Sequence, residues 1–173
     1  MIRMALLIGV LSSASTAAAQ ASPPACMRLA VVAYPSTTRT PPQTRKVPLF
    51  SATQVADLEF RIVWGPGSKG AELFQLRLFT PAGHLYQAMD LPVGLPGKQA
   101  EATRNLNGYP FPVPVARREA ATAEGLDAEQ VSARLPLGGS LVSTASLYGR
   151  WRAEAWPDDA PAPCASVVFD VTP

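Results

Sequence analysis

Hydrophobic and polar residues alternate along several short stretches of this chain, which is the pattern of β-strands that bury one face. The alternation is strictest at 57–64, where the apolar positions are Leu58, Phe60, Ile62 and Trp64. A similar stretch at 72–79 places Gln75 and Arg77 on its polar side, and its apolar positions are Phe74, Leu76 and Leu78. We predict a strand at each stretch and a hairpin between them across the glycine-rich turn 65–70.

A second pair of strands is predicted near the C-terminus, within 147–171. Trp151 alternates with Ala153 and Ala155 and is therefore expected in the core. The opposite face of this strand carries Arg150, Arg152, Glu154 and Trp156. The return strand has its apolar side chains at Val167, Phe169 and Val171. We expect these two strands to form the hairpin that closes the domain, although the long polar turn at 157–163 leaves their register open.

Turn residues separate the remaining predicted strands. The segment Thr80-Pro81-Ala82-Gly83 suits a tight turn, because proline presets φ and glycine accepts a positive φ. A strand is predicted after it at 84–89, and others at 26–34 and 128–135. Short strands joined by turns favour an all-β fold, an antiparallel sandwich of two sheets.

Two regions lack this alternation and are expected to be rich in loops, namely 35–48 and 90–130. Within the second, the composition of 115–126 predicts a short helix that ends at Gly125. The small, hydroxyl-rich segment 140–146 is expected to form a short edge segment.

Three segments resemble the bacterial immunoglobulin-like and macroglobulin-like sandwich domains. Residues 80–86 (Thr-Pro-Ala-Gly-His-Leu-Tyr) resemble their turn and strand of Pro-Asp-Gly, a hydrophobic residue and a tyrosine. Residues 147–155 are similar to their penultimate Tyr-Gly-x-Trp-x-Val-x-Val strand, and 164–171 to their closing Phe-x-Val strand. The resemblance covers 26–89 and 131–171. It implies an immunoglobulin-like antiparallel β-sandwich with a role in binding, scaffolding or assembly, and it transfers no catalytic residue.

The N-terminus has the three parts of an export signal. Arg3 supplies the positive charge, Met4–Leu11 is the apolar segment, and small residues follow, with cleavage expected after Ala19 or Ala21. The apolar segment is shorter than the roughly 20 residues of a membrane helix. We therefore predict a cleaved signal peptide at 1–21 and a periplasmic or secreted protein.

The exported part, 22–173, has the length of a single domain. It contains two cysteines, Cys26 and Cys164. In an exported protein such a pair predicts a disulfide bond, here between the first and last strands, and two free buried thiols are the alternative.

Composition excludes several classes of function. Charged residues make up only 16% of the chain and the net charge is +2, so no basic face and no nucleic-acid partner are expected. The segment 65–70 lacks the spacing of a phosphate-binding loop, and no cofactor is predicted. The only histidine, His84, is far in sequence from both cysteines, so no metal site is predicted.

His84 is also the only residue that could act as the base of a Ser-His-Asp triad, but no Gly-x-Ser-x-Gly elbow accompanies it. Its position beside a turn favours a solvent-facing or turn-capping role. The adjacent acids Asp158 and Asp159 lie in a Pro- and Ala-rich turn, where they are expected to bond their own backbone. No catalytic residue is therefore assigned.

Trp156, Arg152 and Tyr86 are the candidate contact residues. Trp156 lies at a strand end on the face opposite Trp151, and Arg152 shares that face; an exposed tryptophan beside an arginine is typical of interface anchors. A tryptophan half-covered by the long turn is the alternative. Tyr148 is expected to be a corner tyrosine whose hydroxyl bonds the backbone.

The sequence thus predicts an exported, non-catalytic binding or structural module of the bacterial envelope. End loops or a sheet edge would contact a partner, which is expected to be a protein. Two alternatives stay open. One is a small secreted hydrolase that uses His84, and the other is a subunit of a larger envelope assembly that pairs through 140–146 or 110–114.

Overall fold

The computed structural model describes residues 26–34, 46–65, 73–93, 102–106, 109–113, 116, 118–123, 125–157 and 160–173. The signal peptide expected at 1–21, most of the loop expected at 35–48, and the pair Asp158-Asp159 lie outside these residues.

The described residues form eleven β-strands and a single four-residue helix, so the expectation of an all-β fold is confirmed. The strands are β1 (Cys26–Tyr34), β2 (Leu49–Ser51), β3 (Asp57–Trp64), β4 (Leu73–Phe79), β5 (Leu85–Pro92), β6 (Ala102–Leu106), β7 (Tyr109–Val113), β8 (Glu119–Ala123), β9 (Leu126–Pro136), β10 (Gly149–Pro157) and β11 (Ala165–Thr172). The helix α1 (Leu141–Thr144) lies between β9 and β10.

Two sheets pack face to face. The back sheet has the strand order β1-β3-β9-β8 and the front sheet has the order β2-β11-β10-β4-β5. Neighbouring strands are antiparallel except for β2 and β11, which are parallel. The orders β1-β3-β9-β8 and β11-β10-β4-β5 match A-B-E-D and G-F-C-C′ of the immunoglobulin-like sandwich. Strands β6 and β7 form a separate two-stranded sheet.

The core lies between the sheets and consists of the apolar positions that strand alternation predicts. Their side chains are fully buried on β3, β4 and β10, namely Leu58, Phe60, Ile62, Trp64, Phe74, Leu76, Leu78, Trp151, Ala153 and Ala155. On β11, Phe169 packs edge-on against Phe60 and stacks with Trp151. Burying each large apolar side chain stabilises the fold by about 1.5–3 kcal/mol.

A disulfide bond joins Cys26 to Cys164, as predicted, and both cysteines of the chain are therefore oxidised. Cys26 begins β1 in the back sheet, and Cys164 immediately precedes β11 in the front sheet. The bond therefore ties the two sheets together as well as the two ends of the described chain.

The closing hairpin is also confirmed, because β10 and β11 pair antiparallel with Trp151 opposite Phe169. The turn at Thr80–Gly83 connects β4 to β5, and Gly83 adopts a φ of +84° that favours glycine. In contrast, the predicted hairpin of β3 and β4 is wrong. Strand β3 pairs with β1 and β9 in the back sheet, whereas β4 pairs with β10 and β5 in the front sheet. Alternation identifies a strand's buried face but not the sheet to which it belongs.

The helix predicted within 115–126 is wrong, because Glu119–Ala123 forms β8 and pairs with β9. Gly125 lies in the turn between these strands with a φ of +78°. Tertiary pairing overrides the helix propensity of this alanine-rich segment, because intrinsic propensity is only a weak determinant of the final structure. Strands β6 and β7 also fall within 90–130, the region expected to be rich in loops, and β9 extends the strand predicted at 128–135.

The segment 140–146 contains α1 instead of an edge segment. The Ser140 hydroxyl accepts a hydrogen bond from the Val142 N–H at 3.2 Å and caps the helix N-terminus. Tyr148 then donates its hydroxyl to the Ser143 carbonyl at 3.2 Å, which confirms the predicted corner tyrosine. The indole of Trp151 donates to the Leu147 carbonyl at 2.9 Å, so the corner and the core are joined.

Candidate functional site

The outer face of the front sheet, which points away from the core, carries several aromatic and charged residues. Strand register aligns Val168, Arg152, Phe79 and Leu85 in one row across β11, β10, β4 and β5. The next row contains Ser166, Glu154, Arg77 and Ala88. A third row contains Trp156, Gln75 and Asp90. Adjacent side chains on one face of a sheet interact directly, so these rows form a continuous surface.

On one side of this surface, Arg77 contacts both Trp156 and Gln75. Its guanidinium lies 4.1 Å from the centre of the Trp156 ring, and its Nε donates to Gln75 Oε1 at 2.6 Å. Gln75 in turn donates through Nε2 to Asp90 Oδ1 at 2.8 Å. The orientation of Arg77 is therefore fixed by the folded protein itself.

On the other side, Glu154 bonds to both Trp156 and Arg152. Its Oε2 accepts the indole N–H of Trp156 at 3.1 Å, and its Oε1 pairs with Arg152 at 3.1 Å. The guanidinium of Arg152 lies 4.5 Å from the centre of the Phe79 ring. We call the seven connected residues the front-face cluster; they are Gln75, Arg77, Phe79, Asp90, Arg152, Glu154 and Trp156.

Exposed apolar side chains flank the front-face cluster in its own rows. Leu85 is 55% exposed and Val168 is 37% exposed, and each pairs with a member of the cluster across the strands. Ala88 beside Arg77 is also exposed. The surface therefore combines aromatic rings, guanidinium groups and accessible apolar side chains.

A further ion pair lies at the end of the same face. Arg150 Nε donates to Asp170 Oδ1 at 3.1 Å. This hydrogen bond raises the pKa of Arg150 above its ordinary value.

The structure brings together two of the three contact residues predicted from sequence. Trp156 and Arg152 both bond to Glu154 and belong to the front-face cluster. Tyr86 turns the other way, and its ring packs edge-on against the buried Trp151 with centres 5.2 Å apart. The register shift opposite Leu78 and Phe79 explains this direction, because a bulge interrupts the alternation of β5.

Arg77, Glu154 and Phe79 are members of the cluster that the sequence did not single out. Alternation placed Arg77 on the outer side of its strand but could not show which strand lies beside it. The pairing of β4 with β10 brings Arg77 to Trp156, and no local signal in either strand predicts this pairing.

A second tryptophan, Trp64, has similar partners at the edge of the core. Its indole N–H donates to Glu129 Oε2 at 3.1 Å, and the Arg118 guanidinium both bonds to Glu129 and lies over the Trp64 ring. The hydrogen bond from Arg118 lowers the pKa of Glu129. Because Trp64 is fully buried, this group stabilises the core and offers little surface to a partner.

The outer face of the back sheet provides a comparison. Arg134 lies over the Tyr34 ring with its guanidinium carbon 3.4 Å from the ring centre. Arg61 donates to Glu59 Oε2 through Nε at 3.1 Å and through a terminal nitrogen at 2.7 Å. This face has an arginine over an aromatic ring, but among its described residues no contact links the Arg134–Tyr34 pair to the Arg61–Glu59 pair.

His84 is exposed in the turn before β5, where its backbone closes the turn with Thr80. Its imidazole makes no hydrogen bond to any residue in the described ranges. The hydrolase alternative stays a hypothesis. It would be excluded if the His84→Ala variant kept every activity found for the protein.

Within the described residues, no group of acids, histidines and cysteines has a geometry that could hold a metal ion. Nor does any helix in that part of the chain have the length and apolar character needed to cross a membrane. No protein-family model matches the chain, and no curated protein matches it either.

Proposed function

We propose that this protein is an exported, non-catalytic binding module of the bacterial envelope, and that it contacts a protein partner through the outer face of its front sheet. The front-face cluster is the observation on which this proposal rests. It joins Trp156 and Arg152, two of the three residues predicted from sequence as contacts, into one ordered surface.

The composition of the surface suits protein recognition. Tryptophan and arginine are the residues most enriched among those that dominate binding energy at interfaces. In addition, the cluster fixes these side chains before binding, which lowers the conformational entropy lost on association.

Several features support export and an immunoglobulin-like role. The signal peptide expected at 1–21 directs the chain out of the cytoplasm, and a disulfide between Cys26 and Cys164 is typical of oxidising compartments. The strand order and the corner Tyr148 agree with the resemblance to bacterial immunoglobulin-like domains. We therefore assign the protein to the periplasm or the cell exterior.

Photo-crosslinking in the producing organism tests the proposal. Ala88, which is exposed beside Arg77, is replaced by a photo-reactive amino acid, and Ser132 on the back sheet is replaced in a control protein. We expect one discrete protein adduct from position 88 and none from 132, because the partner covers only the front face. The Trp156→Ala change should reduce that adduct several-fold.

The proposal fails if position 88 gives no adduct, if both positions give the same adducts, or if the Trp156→Ala change has no effect on the yield. Circular dichroism of the purified variants provides the control for folding.

A further inference from the structure

The arginines of the front face differ in their partners. Arg150 pairs with Asp170, and Arg152 pairs with Glu154. Among the residues that the structure describes, Arg77 has no carboxylate within ion-pair distance. Of these three arginines, Arg77 is therefore the one that forms no ion pair with a described acid.

Arg77 is nevertheless held firmly. One face of its guanidinium lies over Trp156, and its Nε donates to Gln75, which is itself bonded to Asp90. A guanidinium has five N–H donors, and these contacts use only the Nε donor. The terminal nitrogens form the planar fork that binds a carboxylate through two parallel hydrogen bonds.

The surroundings of Arg77 indicate what carries that carboxylate. Leu85 is 55% exposed and Val168 is 37% exposed in the adjacent row, so an occupant of this face covers apolar side chains as well as a charge. Arg77 also covers one face of the Trp156 ring, which prevents a sugar from stacking on that side. A protein segment with an acidic residue between apolar residues satisfies both conditions.

We propose that Arg77 is the receptor for an aspartate or glutamate side chain of the partner protein, with apolar residues on either side of that acid packing on Leu85 and Val168. This inference rests on the proposed function, since it names the chemistry that the front face recognises. Arg77 supplies the charge-assisted bonds, and Trp156 and Gln75 are positioning residues for it.

A selection of displayed random peptides on the disulfide-bonded protein, purified after export, tests this inference. We expect the selected peptides to share an acidic residue flanked by apolar ones. Replacing that acid by its amide should weaken binding about tenfold, because a hydrogen bond to a charged group is lost. The Arg77→Gln change should cause a similar loss, and both changes together should cause little more than either alone.

Arg134→Gln is the matched control, because Arg134 also lies over an aromatic ring but on the back sheet. It should leave peptide binding unchanged. Arg77→Lys is the second variant, since it keeps the charge without the planar fork and should recover only part of the affinity.

The outcomes separate this inference from the proposed function. If Leu85→Asp abolishes peptide binding but the acid and Arg77 have no effect, the front face binds partners and the carboxylate receptor is wrong. If no front-face variant changes the binding of the selected peptides, both proposals are contradicted. A selection without acidic peptides, or without any binder, overturns the carboxylate receptor, and crosslinking from position 88 still decides the proposed function.

Discussion

Two tryptophans, Trp64 and Trp156, have the same kinds of partners but different exposure. In each case the indole N–H donates to a glutamate at 3.1 Å, and an arginine lies over the ring. Trp64 is fully buried and stacks with Phe74, whereas Trp156 remains partly exposed at the surface. The same local chemistry therefore stabilises the core at one position and orders the proposed contact surface at the other.

The buried tryptophan leads to a prediction about acid stability. The hydrogen bond from Arg118 lowers the pKa of Glu129 below its ordinary value of 4.5 in the folded protein. A lowered folded-state pKa contributes stability above the unfolded-state pKa, and this contribution disappears as the pH falls through the lowered value. We expect Glu129→Gln to lose up to about 1 kcal/mol of unfolding free energy near neutral pH and to differ less from the parent in strong acid.

Urea unfolding of both proteins across the acid range measures this difference. Glu119→Gln on the neighbouring strand β8 is the control, since Glu119 is exposed and its replacement should change the unfolding free energy little. An unfolding difference for Glu129→Gln that stays constant with pH would contradict the role of its charge.

At the scale of the element, the corner between β9 and β10 depends on a few hydrogen bonds. The Ser140 hydroxyl caps α1, and Tyr148 donates to the Ser143 carbonyl within the same connection. The backbone at Gly149 then takes a φ of +126° and brings the chain close to Pro81 of the β4–β5 turn. This connection therefore sets the position of β10, the central strand of the front face.

The corner hydrogen bond gives a prediction for Tyr148→Phe. This change keeps the ring but removes the donor to Ser143, so we expect the unfolding free energy to fall by about 1 kcal/mol. Tyr86→Phe is the matched control, because the Tyr86 ring packs on Trp151 while its hydroxyl bonds to no described residue. Equal losses for the two variants in thermal or urea unfolding would show that the corner bond contributes nothing specific.

The elements also show where sequence patterns are sufficient and where they are not. Strand alternation identified the buried faces of β3, β4 and β10, because a half-buried strand places every second side chain in the core. It could not assign β3 and β4 to different sheets, since that depends on pairing between distant strands. The helix predicted at 115–126 and the missed helix α1 have a related cause, because short segments are decided by tertiary contacts and capping.

The same limit applies to the candidate site. Residue type and strand position suggested Trp156, Arg152 and Tyr86 as contact residues, and the structure brings the first two together while the Tyr86 ring packs on Trp151. No sequence signal marks the bulge in β5 that gives Tyr86 this direction. Arg77 and Glu154 gain their significance only from the register between β4 and β10.

At the scale of the whole molecule, one disulfide bond links the two sheets. Cys26 and Cys164 are 138 residues apart in sequence, so the disulfide closes most of the domain into a loop. Closing such a long loop restricts the unfolded chain strongly and stabilises the folded state by about 2–5 kcal/mol, with the longest loops at the upper end.

We therefore expect the double variant Cys26→Ala, Cys164→Ala to unfold at a much lower urea concentration than the oxidised protein, with a loss of about 2–5 kcal/mol. Reduced wild-type protein should behave like the variant, because the loss follows from the missing bond and not from the new side chains.

The front-face cluster lies on the opposite side of the front sheet from the core and includes neither cysteine, so peptide binding at low temperature should persist as long as the variant remains folded. If reduction left the urea midpoint unchanged, the bond would not contribute to stability. If binding disappeared while the sheets stayed folded, the front face would depend on the disulfide more directly than its hydrogen bonds indicate.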